Sequence, residues 1–121
     1  MNVQAMETIR EVEGELAGLA EALGAPQVRE ILDLFLEDSV PRLAALGEAI
    51  REGDLETARN QAHTLKGSAG NLGAMSLWEA CANLEQALRD GDGGAVRRQL
   101  GEVEQRLTAV LGHFGHWGHP A

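Results

Sequence analysis

Apolar residues recur alternately three and four positions apart in five successive segments, the period of helices that each bury one stripe. The first segment carries Ile9, Val12, Leu16, Leu19 and Leu23 and is closed by Gly24. The second opens at Pro26, a favourable first-turn residue, and runs through Val28, Ile31, Leu32 and Phe35 to Leu43, Leu46 and Ile50. Pro41 removes one helical hydrogen bond from it, which predicts a kink or a break, with Asp38 or Ser39 capping a restart. Gly53 and Asp54 supply a stop and a cap before the third stripe of Leu55, Ala58, Ala62, Leu65, Ala69 and Leu72. Gly73 ends that segment. Leu77, Cys81, Leu84 and Leu88 form the fourth stripe, a Gly/Asp turn follows, and Val96, Leu100, Val103, Leu107 and Val110 form the fifth.

Helices this long on connections this short favour antiparallel neighbours, so the expected fold is all-α: an antiparallel up-down four-helix bundle with an additional N-terminal helix. Composition agrees, because 18 Ala and 17 Leu stand against 3 Ile, 7 Val, 4 Thr and no Tyr, the reverse of strand-rich usage. The 121 residues suit one domain. The expected organisation is an N-terminal helix over 1–25, the bundle over 26–112 and a Gly/His-rich tail over 113–121.

A net charge of −9 argues against nucleic acid or an anionic membrane as the main partner, since both require clustered Lys and Arg. All of that excess lies in residues 1–57, which hold 13 acids and 4 bases; residues 58–121 hold 6 of each. No run reaches the roughly 18 apolar residues of a membrane span, and the N-terminus lacks the pattern of a signal peptide, so a cytoplasmic location is expected. Cys81 is the one cysteine and lies on a helical stripe, where a buried reduced thiol is expected.

On a helical wheel with Leu65 at 0° and about 100° per residue, the third stripe centres near 30° and His63 falls near 160°. Lys66 lies near 100°, Gly70 near 140° and Gly67 near 200° on the same projection. His63 is therefore some 130° away from the buried stripe, on a face with a lysine and two glycines. Each glycine costs an exposed helix about 1 kcal/mol relative to alanine, and what it offers in return is a surface that a bulky group can approach. A neutral imidazole has a ring nitrogen free to act as a nucleophile, and an ammonium one turn away suits an anion bound there. An exposed nucleophile, an adjacent cation and a cleared surface fit the transfer of a compact anion, with phosphoryl the leading candidate.

The run Ala62-His63-Thr64-Leu65-Lys66-Gly67-Ser68-Ala69-Gly70-Asn71-Leu72-Gly73 closely resembles the signature of histidine-containing phosphotransfer (HPt) domains, the relay modules of two-component signalling. The likeness extends over about residues 26–111. It implies that His63 accepts a phosphoryl group at its outer ring nitrogen and that Lys66 stabilises the phosphoryl charge. It implies further that Thr64, Gly67, Gly70 and Asn71 belong to the surface where a partner docks. Many members of the family place a Gln or Glu on the next helix against the other ring nitrogen, and Glu85 and Gln86 are both candidates here. The implied partners are response-regulator receiver domains and a hybrid sensor histidine kinase, with the chain itself a monomer. No cofactor or metal is implied within the chain, and any magnesium would sit in the receiver's acidic pocket. No nucleotide-binding Gly-rich loop is present, so phosphorylation from ATP is not expected.

Two other readings compete. An acidic helical adaptor would recruit a partner without chemistry at His63. A metal-binding tail would use His113, His116 and His119, which recur every third residue between glycines.

Overall fold

A computed structural model describes residues 2–115, and over that range the chain is all-helical: α1 (Val3–Leu23), α2 (Ala25–Glu52), α3 (Leu55–Asn71), α4 (Met75–Asp90) and α5 (Gly93–Phe114). The turns follow from local chemistry. Asp54 and Asp92 each accept a hydrogen bond from a backbone N–H in the first turn of the helix that follows, at 3.2 and 3.1 Å. Gly53 and Gly91 end α2 and α4 in the left-handed region, with φ of 76° and 67°. The apolar stripes meet in one core through Val12, Leu32, Leu46, Leu65, Leu84 and Leu107, while Leu23, Ile31 and Leu55, expected in those stripes, remain exposed at helix ends and edges.

Pro41 neither breaks α2 nor starts a capped second helix, because α2 is one element of 28 residues. Proline in a helix interior costs about 3 kcal/mol, and here buried residues on both sides of it, Phe35, Leu36 and Ser39 before and Leu46 and Ala49 after, hold the two halves on one core. Nor is Asp38 free to cap a restart. It receives two hydrogen bonds from Arg42, at 3.2 and 2.8 Å, and the guanidinium holds its carboxyl below the usual carboxylate range. Arg42 also donates to Gln61 at 3.0 Å, which ties α2 to α3.

α3 packs between α2 and α4; α4 and α2 both contact α5, and α1 packs on α5, α2 and α4. Asn2 donates to Gln105 at 2.9 Å and Glu13 lies 3.9 Å from His113, so α1 runs parallel to α5. The site helix α3 is thus left uncovered by α1. α5 takes in His113 and Phe114, the first two residues of the expected tail; the rest of the tail beyond Gly115, including His116 and His119, lies outside the described residues.

α1 also supplies what α4 lacks. Ala74 precedes α4 with no side chain able to cap it, and Glu11 takes that role from another helix, accepting from the Ser76 backbone N–H at 2.9 Å and the Ser76 hydroxyl at 2.8 Å. Thr8 adds its hydroxyl 2.6 Å from that of Ser76. Next to this cap, Gly73 has a φ of 73° and Glu15 Cβ lies 2.8 Å from where a Gly73 side chain would begin, so the α3–α4 turn accepts only glycine. Glu11→Ala should lower unfolding stability in urea by about 1.5 kcal/mol, the size of a lost charge-assisted cap. An unchanged midpoint would show that water serves equally well.

Candidate functional site

His63 stands midway along α3, on the side opposite Ala58, Ala62, Leu65 and Ala69, all of which are buried. Its side chain is 70% exposed. Beneath it, α4 presents Glu85, whose side chain is only 3% exposed. The Glu85 carboxylate has three partners: His63 Nδ1 at 3.3 Å, Lys66 Nζ at 2.8 Å and Arg89 Nη2 at 3.3 Å. A buried carboxylate needs such company, because its desolvation is repaid only by paired charge and hydrogen bonds.

The arrangement decides the imidazole's chemistry. An ionised carboxylate only accepts, so the nitrogen facing Glu85 carries a proton, and in the neutral form of this exposed ring that contact makes Nε2 the nitrogen with the free lone pair. Two cations face one carboxylate, so the two pairs leave one positive charge in excess beside His63. An anion can be received there despite the acidic total.

Of the two candidates on α4, Glu85 makes the contact. Gln86 is exposed and donates instead to Asp90 at 2.9 Å. Thr64 is exposed with its hydroxyl donated back to the Asn60 carbonyl at 3.0 Å. Asn71 is exposed and lines a cavity of about 220 Å³ between α2 and α3, together with Ile31, Leu34 and Ser68.

The two glycines differ. A side chain added at Gly67 would meet nothing within 4 Å, whereas one at Gly70 would meet Trp78 Cδ1 at 3.3 Å. Trp78 and Arg89 were not indicated by the sequence. Trp78 lies off the apolar stripe of α4 and is 38% exposed; Arg89 reads as an ordinary last-turn cation. Their spacing could have flagged them, since Trp78 and Arg89 stand seven before and four after Glu85, both on its helical face.

Cys81, in the core below, supplies no nucleophile. Burial first, and the Glu85 charge second, push its thiol up to about 12, so it stays neutral at physiological pH. Among the described residues no group of three His, Cys, Asp or Glu is placed to hold a metal ion, and no helix is long and apolar enough to cross a membrane.

Residues 30–113 match the model of the Hpt domain family. The chain is 30% identical over 103 residues to the phosphorelay protein LuxU of Vibrio vulnificus strains YJ016 and CMCP6, a match that covers 85% of this chain and 90% of each relative. Among solved structures it is similar to histidine-containing phosphotransfer protein B (HptB) of Pseudomonas aeruginosa PAO1. That similarity has 31% identity and a TM-score of 0.75, and covers 84% of this chain and 88% of the other.

Proposed function

The chain belongs to the Hpt domain family, with a phosphotransfer role in two-component signalling, and from that membership we propose that His63 is the residue that carries the phosphoryl group. The observation that carries this reading is the exposed imidazole whose Nδ1–H rests on the buried Glu85 carboxylate, with Lys66 alongside.

The donor is the aspartyl phosphate of a receiver domain in a hybrid sensor kinase. His63 Nε2 directs its lone pair at phosphorus, the N–P bond forms, and the bond from phosphorus to the aspartate oxygen breaks, with the carboxylate leaving with the electron pair. The ring becomes cationic, and Glu85 stabilises it through the retained Nδ1–H. Lys66 offsets the charge gathering on the phosphoryl oxygens. Attack by a second receiver's aspartate reverses the step and returns the imidazole to its resting state. Any magnesium belongs to the receiver, whose acidic pocket would hold it. The platform is α2–α5 in up-down order, and the protein works as a monomer in the cytoplasm.

The test is to incubate the full chain with receiver domains phosphorylated on aspartate and to locate acid-labile phosphate by mass spectrometry. Phosphate on His63 is expected. No transfer from any receiver, or transfer to another residue, would overturn the proposal.

Gly67 marks the docking surface, because the space above it is open. Gly67→Gln should weaken association with a receiver about tenfold by placing a side chain in that space, while helix stability rises by up to about 1 kcal/mol. Titration against a fluorescent receiver reads the first effect, and undiminished affinity would remove Gly67 from the interface.

A further inference from the structure

We infer that Trp78 is a positioning residue for Lys66, and that Gly70 lacks a side chain to admit the Trp78 indole rather than the partner. The inference rests on the proposed chemistry at His63.

Lys66 Nζ lies 5.7 Å from the centre of the Trp78 ring and 2.8 Å from Glu85 Oε1. Trp78 and Glu85 are seven residues apart on α4, two turns along one face, so one helix holds the ammonium from two directions. Only 23% of the Lys66 side chain is exposed. Glu85 alone would draw the ammonium inward to its carboxylate, and without any hold the flexible stem would carry it out to water. The ring face offers a second electrostatic contact nearer the surface and shields the charge from solvent, which keeps it strong toward an incoming anion. Held in this way, Lys66 is in place before phosphoryl arrives, and its ordering is not charged to the transfer step. Gly70 on α3 gives the indole its room: a side chain at that position would stand 3.3 Å from Trp78 Cδ1, a contact tight enough that the ring must give by a few tenths of an ångström.

Trp78→Leu and Trp78→Phe in the full chain test this with two donors, a phosphorylated receiver and phosphoramidate, which needs no docking surface. Trp78→Leu should slow phosphorylation of His63 about fivefold with both donors, and Trp78→Phe, which keeps a ring face, should stay within about twofold of wild type. Slowing with the receiver alone would make Trp78 a docking contact and overturn the inference, as would no slowing at all. A direct readout is the NMR shift of the Lys66 side-chain methylene protons. The indole ring current should displace them in the wild type and not in Trp78→Leu; undisplaced protons in the wild type overturn the contact whatever the kinetics. Gly70→Ala closes a double-mutant cycle: it should slow phosphoramidate transfer in the wild type and be neutral in the Trp78→Leu chain. An equal cost in both would return Gly70 to other duties. If the wild type takes no phosphate at His63, the proposed function fails, while the ring-current result still judges the Lys66 contact.

Discussion

His63→Gln is expected to accept no phosphoryl from a phosphorylated receiver while unfolding at the same urea concentration as the wild type. The side chain is 70% exposed and gives up one long hydrogen bond to Glu85, a change worth no more than about 0.5 kcal/mol at a surface position. Glutamine keeps an N–H to lay on the carboxylate but has no ring nitrogen to attack phosphorus. Acid-labile phosphate appearing on this variant at the wild-type rate would end the assignment. A stable complex with a receiver that survives the substitution without any phosphate transfer by the wild type would instead favour the adaptor reading.

The second large effect is expected at Glu85. Glu85→Ala leaves Lys66, Arg89 and the Nδ1–H of His63 without their shared acceptor. Removing one member of a fully buried ion pair costs about 3–5 kcal/mol. Here the cations are partly solvated, at 23% and 57% exposure, so a loss of about 2 kcal/mol in urea unfolding is expected. Transfer to His63 should fall at least tenfold, since the imidazole loses both its orientation and the charge that stabilises its cationic form. Glu85→Gln should lose less stability, because its amide oxygen still accepts from Nδ1. Wild-type stability in Glu85→Ala would show that solvent already serves the two cations.

The candidate site was legible in α3 because a single helix contains most of it. Spacing alone put His63 and Gly67 on a face turned away from the Leu65 stripe, with Lys66 at its border, and no information from another helix was needed. The contribution of α4 was not legible to the same degree. Glu85 and Gln86 are neighbours about 100° apart on their helix, and only the register of α4 against α3 selects between them. Trp78 shares the helical face of Glu85, but its place across Gly70 of another helix depends on the same register and was not legible. At Gly70 the sequence indicated that space was needed but not which group would fill it. Pro41 shows the opposite limit, since of the break or kink that a local rule predicted, the break does not occur, outweighed by burial on both sides of the residue.

By itself the sequence determined that the chain is helical, where four of the turns fall and that an exposed histidine with a lysine one turn on sits in a surface cleared by glycine. These are properties of spacing within one helix or of a turn residue's own backbone preference, and both are written in adjacent residues. Tertiary structure decided which carboxylate lies under His63, which ring nitrogen faces it, what holds Lys66 and which helix caps α4. Each of these depends on the relative position of two helices far apart in sequence. That position is set by how the whole core packs, which no single stripe contains.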